Sequence, residues 1–387
     1  AGATLSTSFS SPSQQNTALN RNGNVLFKSS LAGGDVVGST NNEAWYTGTT
    51  SSYGIMVRKG DVVLGTGEPA TALGFVSQMD NAGRVLFDLT LGGPATTAND
   101  KALFIHTPGS GNSMLLREGD SAPGTVGATF GTATGSLSFT AGANDFTRNG
   151  KTLMAIDLTG GDVVAGVNDR AIYELTESGH TLVSRRGDAA PDLVGLNMVQ
   201  YNNSAVNINA SGKAAFQVSL DSGNTLNDSA IITGTAGNLH LAAREGDIAP
   251  GTGGAATFGS MFGTSMAFND KGQILFTTTL NGVGAIPNNT RSALYFYDPN
   301  DNTTYQVARA GQSIEVAPGD VRVMTGFGFG TFNNTDGAAL GFGHDGKVAL
   351  RVSFADSTTA IVTFTVPEPA AVAMFAAAGL LALRRRR

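Results

Sequence analysis

Cysteine is absent from this sequence of 387 residues. Without thiols the chain forms no disulfide framework, offers no thiolate to a metal ion and has no cysteine nucleophile. Histidine is nearly as rare, and no two of the four lie at the spacing of a zinc motif: they are His106, His180, His240 and His344. These absences exclude cysteine-based catalysis and the common zinc sites, and we expect neither a metal nor a cofactor.

Charged residues are also scarce. They make up 14% of the chain, whereas ordinary soluble domains contain about 25%. The surface must therefore be built largely from Ser, Thr, Asn and Gly. The formal net charge is −6, and it becomes −9 when the four arginines and one glutamate of residues 367–387 are set aside. No basic patch for a nucleic acid survives that subtraction, so we expect no nucleic-acid partner.

Motifs that carry chemistry are missing as well. The chain has no Gly-x-Ser-x-Gly elbow, no phosphate-binding loop and no His-Glu-x-x-His helix. The segment from Asp298 to Asn302 comes nearest to a calcium loop, but it lacks the closing glutamate, so an ordinary polar turn is favoured. Paired carboxylates for sugar hydrolysis stay open, because they come together only in the fold. We predict no catalytic residues and no enzyme.

One unit repeats along the chain about every 60 to 75 residues. It begins with a polar turn that ends in glycine, at Gly23, Gly83, Gly150, Gly212, Gly272 and Gly346. Apolar residues then alternate with a period of two, which predicts a strand with one buried face. A second strand opens with alanine, and the small side chain predicts close approach of a neighbouring sheet, at Ala44, Ala102, Ala171, Ala230, Ala293 and Ala360.

A third strand ends in Arg-x-Gly-Asp. The arginines and aspartates are Arg58, Asp61, Arg117, Asp120, Arg185, Asp188, Arg244 and Asp247, and a degenerate fifth copy has Arg309 with Gln312. The arginines would either ring one face and bind an anion or acidic sugar, or each would fasten its own turn through the motif aspartate or local carbonyls. Repetition favours the structural role, because binding sites usually break symmetry. Gln312 is expected to loosen the pairing.

A weaker fourth strand precedes each glycine turn, and four short antiparallel strands per unit are typical of a propeller blade. We predict an all-β, six-unit β-propeller-like domain over residues 1–366, followed by a tail at 367–387 with a short hydrophobic helix. No Arg-x-Gly-Asp strand follows Val366. We therefore expect both ends of the domain to share one composite blade that is one strand short. A strand from a neighbouring molecule would fill it and link subunits, although a tolerated three-stranded blade is favoured.

The tail has three parts in order. Pro367, Glu368 and Pro369 come first, the apolar run 370–383 follows, and Arg384, Arg385, Arg386 and Arg387 close the sequence. At 1.5 Å per residue the run spans about 21 Å, short of the roughly 30 Å hydrocarbon core. A transient sorting anchor with its cationic end on the cytoplasmic side therefore fits better than a permanent one.

This order resembles the PEP-CTERM sorting signal. The resemblance implies export in a Gram-negative bacterium and an exosortase-type partner that processes the chain near Pro-Glu-Pro. It also implies a link to exopolysaccharide and a place at the cell surface or in the extracellular matrix. Since no export signal precedes Ala1, we expect a mature N-terminus from which a signal peptide has been removed.

These observations lead to a prediction of function. We predict a non-catalytic, extracellular structural or matrix-associated surface protein, and one version of it is a homo-polymer that forms fibres by β-strand addition. Two alternatives stay open. The first is a glycan-binding, lectin-like propeller, and the second is an extracellular polysaccharide hydrolase or lyase.

Overall fold

The computed structural model describes residues 8–131, 145–146, 150–282, 290–330, 341–343 and 345–366. These residues form 26 β-strands and no α-helix. The sorting motif and the hydrophobic helix expected at 370–383 lie outside the described residues. The strands form six antiparallel sheets, and strands that are neighbours in sequence are mostly neighbours in a sheet.

The strand bounds follow the repeat. The first sheet contains β1 (Ser8–Leu19), β2 (Asn24–Ala32), β3 (Glu43–Thr49) and β4 (Tyr53–Arg58), and the second contains β5 (Ala70–Met79), β6 (Val85–Leu91), β7 (Lys101–Thr107) and β8 (Gly111–Arg117). The third contains β9 (Thr129–Phe130), β10 (Asp145–Phe146), β11 (Thr152–Thr159), β12 (Arg170–Thr176) and β13 (Gly179–Arg185).

The remaining three sheets repeat this order. The fourth contains β14 (Met198–Ile208), β15 (Ala214–Leu220), β16 (Ser229–Thr235) and β17 (Asn238–Arg244). The fifth contains β18 (Thr257–Phe258), β19 (Met266–Phe268), β20 (Ile274–Asn281), β21 (Ser292–Asp298) and β22 (Thr303–Arg309). The sixth contains β23 (Ser313–Ala317), β24 (Asp320–Gly328), β25 (Lys347–Phe354) and β26 (Thr359–Thr365). The predicted class, an all-β chain of six blade-like units, is confirmed.

The chain divides into two compact units. Among the described residues, the first unit holds 8–216 and 234–239, and the second holds 217–233 and 240–366. Three complete sheets belong to the first unit and the fifth and sixth sheets to the second, while the fourth sheet has residues in both.

The six repeat glycines occupy the turns that the sequence predicts for them. All six have φ between 70° and 83°, a region that L-residues with a Cβ rarely adopt. Each turn joins the strand before the glycine to the strand after it, as between β5 and β6. The glycine hairpin opens the first, second and fourth sheets, whereas β9, β18 and β23 precede it in the third, fifth and sixth.

One face of each strand that follows a repeat glycine is buried. The side chains six and eight residues after the glycine are buried in every unit, even where the residue is Ser29 or Thr278. These two hydroxyls donate hydrogen bonds to the carbonyls of the next residues, Ser30 and Thr279, at 3.0 Å. Burial is thus tolerated because the polar atoms find partners in their own strand.

Successive sheets within each unit pack face to face. A cluster that includes Trp45 and Phe87 joins the first and second sheets, one that includes Leu103 and Tyr173 joins the second and third, and one around Phe296 joins the fifth and sixth. The opening alanines of the first five units are fully buried, as their small size predicts for a close approach between sheets.

The sixth sheet corrects the prediction of a composite blade. The strand β1 pairs with β2 in the first sheet, and the sixth sheet obtains four strands of its own because β23 pairs with β24 ahead of the glycine hairpin. As no Arg-x-Gly-Asp strand follows it, the alanine strand β26 lies at the edge of the sheet, and Ala360 is half-buried. The strand β23 was missed because its counterparts in the first four units are single bridges, such as the one between Val62 and Pro69, rather than strands.

Candidate functional site

The last residue of the Arg-x-Gly-Asp motif closes the turn that follows the motif strand, as after β8, β13 and β22. In the second and third units a carboxylate oxygen of Asp120 or Asp188 accepts the backbone N–H of the motif arginine, at 3.0 and 2.6 Å. In the fifth unit Gln312 Oε1 accepts the N–H of Arg309 in the same way, at 2.9 Å. An amide oxygen thus replaces the carboxylate as the acceptor of this turn.

The motif arginine points away from its own turn. Arg58 donates from Nη1 and Nη2 to the two carboxylate oxygens of Asp35, at 2.7 and 3.1 Å, and from Nε to the carbonyl of Asn41 at 2.9 Å. Arg185 repeats this fork with Asp162, at 2.7 and 3.1 Å, and reaches the carbonyl of Asn168 at 2.7 Å. The partners thus lie 17 to 23 residues upstream, in the loop before the alanine strand.

Two other motif arginines, Arg117 and Arg244, hold the corresponding loop of their own units with fewer bonds. Arg117 Nε donates to the carbonyl of Asn99 at 2.7 Å, and its Nη2 lies 2.7 Å from Glu68. Arg244 donates from Nε and Nη2 to the carbonyl of Asn227, at 3.2 and 3.0 Å. Four of the five side chains that the sequence singled out as an anion-binding ring therefore spend donors on loop carbonyls and carboxylates, whereas Arg309 Nε is buried and has no hydrogen-bond partner.

The residue that follows the motif arginine faces the residue two positions before the opening alanine of the same unit. In the third unit the two have opposite charge, and Arg186 Nη1 lies 3.0 Å from Asp169 Oδ1. In the fourth unit both are acids, Glu245 and Asp228, and the neighbouring Asp228 is one of the causes that raise the pKa of Glu245.

Glu245 is buried, with 4% of its surface exposed. The hydroxyl of Ser229 donates to Glu245 Oε2 at 2.6 Å and accepts the backbone N–H of Met261 at 2.8 Å. Burial raises the pKa of Glu245 most strongly, Asp228 raises it further, and the hydrogen bond from Ser229 opposes both effects. The result is a carboxylic acid that keeps its proton above the usual range of glutamate.

A groove lies between the fifth and sixth sheets, within the second compact unit. Its volume is about 680 Å³, and it is lined by Phe296, Tyr305 and Gln306 from the fifth sheet and by Ile314, Leu350 and Phe364 from the sixth. The rings of Phe296 and Tyr305 stack at a centroid distance of 6.5 Å with 29° between their planes. Tyr305 also donates its hydroxyl to Asp301, which orients the ring at the groove.

Trp45 does not contribute to such a surface. It is 1% exposed and belongs to the core between the first two sheets. The groove could not be predicted from the sequence, because its lining residues come from six strands. The pair of acids could have been found from the sequence. When the repeats are aligned, Glu245 falls at the position of Arg186, and Asp228 falls at the position of Asp169.

The described part of the chain contains no group of three or more His, Asp or Glu side chains able to hold a metal ion. None of its segments forms a helix of the length and apolarity needed to cross a membrane.

The fold and the turns define an all-β repeat protein of blade-like sheets. The chain belongs to the family described as DUF7453, a family of unknown function, which it matches over residues 2–373. No curated protein matches it.

Several solved structures are similar to the chain. A puromycin hydrolase is 9% identical with a TM-score of 0.38, and the match covers 90% of this chain but only 45% of that protein. The α-L-arabinofuranosidase Arb93A from Fusarium graminearum, in complex with an iminosugar inhibitor, is 11% identical with a TM-score of 0.30, over 77% of this chain and 82% of that one. A β-1,3-galactosidase of glycoside hydrolase family 43 is 12% identical with a TM-score of 0.28, over 75% and 92%.

These findings correct two expectations. The sequence analysis predicted a non-catalytic structural or matrix-associated protein and no enzyme, whereas the similar structures are hydrolases, two of which are glycosidases. At 9–12% identity the likeness describes the fold alone, and the substrates named belong to those proteins.

Proposed function

We propose that the protein is carbohydrate-active and binds a glycan in the groove between the fifth and sixth sheets. The groove itself is the observation that carries this proposal. Its volume of about 680 Å³ lies within the range of roughly 300 to 1,000 Å³ that small-molecule sites occupy. It is mostly apolar, and a few neutral polar groups line it, which suits an uncharged ligand.

Tyr305 is the main recognition residue in this proposal. Its ring is half-buried and stacked on Phe296, so that an aromatic face borders the groove and can pack on the C–H face of a sugar ring. Gln312 and Ser313 add amide and hydroxyl groups to the lining.

A glycan array with the full chain, followed by titration calorimetry on the best ligand, tests the proposal. We expect saturable binding, and we expect Tyr305→Ala to weaken it about fivefold because one ring stack is worth about 1 kcal/mol. Tyr53→Ala is the matched control, since Tyr53 is an exposed tyrosine of the first sheet. Absence of binding to every glycan, or equal loss in both variants, would refute the proposal.

A second candidate function is cleavage of the glycan, and Glu245 favours it. A carboxyl group that burial keeps protonated can give its proton to the leaving oxygen of a glycosidic bond. Release of reducing ends from polysaccharides is the measurement. We expect turnover that Glu245→Gln abolishes, and turnover unchanged by this substitution would eliminate Glu245 as the acid.

We also propose that the tail exports and sorts the protein. The order Pro367-Glu368-Pro369, apolar run and terminal arginines supports an exosortase-type partner, a place at the cell surface or matrix, and contact with exopolysaccharide. The test is to fractionate the cells that produce the protein, purify it from each fraction and measure its intact mass. A mature chain shortened near residue 367 is expected, and an uncut chain in the cytoplasm would contradict the proposal.

A further inference from the structure

We propose that the turn between β21 and β22 binds a divalent cation, with Ca²⁺ as the matching ion, through the carboxylates of Asp298 and Asp301. The sequence analysis favoured an ordinary polar turn here. The proposal does not rest on the groove or its ligand, because it concerns a separate set of atoms.

Asp298 provides the first observation. Only 1% of its surface is exposed, and its Oδ1 accepts the backbone N–H and the side-chain amide of Asn300, at 3.0 and 2.8 Å. Its Oδ2 is buried and has no hydrogen-bond partner. A carboxylate oxygen withdrawn from water needs either a cation or a proton, because an unpaired buried charge is costly.

Asp301 brings a second carboxylate to the same turn. Its Oδ1 accepts the backbone N–H of Thr303 at 3.1 Å, and its Oδ2 accepts the hydroxyl of Tyr305. Asp301 stands three residues after Asp298, in the turn that the pair of Asp298 and Thr303 closes. The two carboxylates therefore share one neighbourhood.

The strand register places Asp298 on the same face as the groove. Phe296 pairs with Tyr305, and Asp298 pairs with Thr303. Because side chains two residues apart in a strand point to the same face, Asp298 lies on the face that carries Phe296 and Tyr305. Its buried carboxylate thus lies beside Tyr305 rather than on the opposite face of the sheet.

The chemistry of the donors suits Ca²⁺ better than a transition metal. All the nearby donors are oxygens, and hard cations prefer oxygen ligands. With two carboxylates the site would be weak, in the range of about 10⁻⁴ to 10⁻³ M found for extracellular calcium modules.

Thermal melting of the full chain in EDTA and then in excess CaCl₂ tests the site, together with displacement of Tb³⁺ luminescence that nearby tyrosines sensitise. We expect Ca²⁺ to raise Tm and to quench Tb³⁺ emission in the unmodified protein. Asp298→Asn and Asp301→Asn should each lose both effects. Asp345→Asn, which changes an exposed turn acid paired with Lys347, should retain them.

Two results would overturn the proposal. One is an unmodified protein whose Tm and Tb³⁺ emission do not respond to Ca²⁺. The other is an Asp298→Asn variant that responds like the unmodified protein, because Asp298 would then carry a proton instead of contacting a cation. If Asp298→Asn does not fold, Asp301→Asn alone decides, since Asp301 lies at the exposed end of the turn.

Discussion

Replacing Arg58 by alanine should release the loop that precedes the first alanine strand. Arg58 is 2% exposed and makes three hydrogen bonds, two to Asp35 and one to the carbonyl of Asn41. Removing one partner of a fully buried ion pair costs about 3 to 5 kcal/mol, but the side chain of Asp35 is 35% exposed and can turn to water. We therefore expect a loss of about 2 to 3 kcal/mol in the free energy of unfolding.

Urea denaturation measures this loss, and hydrogen exchange locates it. The amide of Val37, which donates to Asn41 Oδ1 at 2.7 Å, should exchange faster in Arg58→Ala. Lys347→Ala is the control, because its ion pair with Asp345 is exposed and should contribute less than about 1 kcal/mol. If Arg58→Ala changes the free energy of unfolding by no more than this control, the arginine does not anchor the loop.

Three further predictions follow from the turns. In thermal melts, Glu245→Gln should become more stable relative to the unmodified protein as pH rises from 4 to 8. The pKa of Glu245 is raised in the folded state, so the folded protein holds a proton that the unfolded chain has lost. The stability of the unmodified protein therefore falls as pH rises through the folded pKa, whereas the glutamine of the variant does not titrate. A constant difference across this range would contradict it. Gln312→Ala should cost about 1 kcal/mol in urea denaturation, whereas Gln312→Asp restores the acceptor of the other units and should cost less; equal losses would show that the hydrogen bond to Arg309 contributes nothing. Gly246→Ala should cost about 2 kcal/mol, since φ is 86° and the new Cβ would lie 2.8 Å from the carbonyl of Leu226; an unchanged melting temperature would refute the requirement for glycine.

The repeat could be predicted from the sequence because its signals are local. A turn glycine such as Gly83, the alternation that follows it and the alanine at position 102 each depend on a few neighbouring residues, and all appear in the structure where the pattern places them. The strand β23 was missed for the same reason. It carries none of the repeated signals and forms because a hairpin partner, β24, lies next to it.

The partners of the motif side chains could not be predicted from local patterns. The sequence places Asp61 three residues from Arg58, yet the guanidinium binds Asp35, which the folded loop brings closer. The sequence contained one signal of this pairing. The segment Gly-Gly-Asp-Val-Val, which includes the partner aspartate, occurs at 33–37 and again at 160–164. These are the two units in which the motif arginine binds both oxygens of such an aspartate.

The sequence by itself determined the number of units, the strand class and the sites of the tight turns, because glycine, alternation and strand length act over a few residues. Only the tertiary structure decided which groups meet. The groove beside Tyr305, the proximity of Glu245 and Asp228, and the buried oxygen of Asp298 all depend on sheet packing and strand register, which bring distant residues together and remove water from between them.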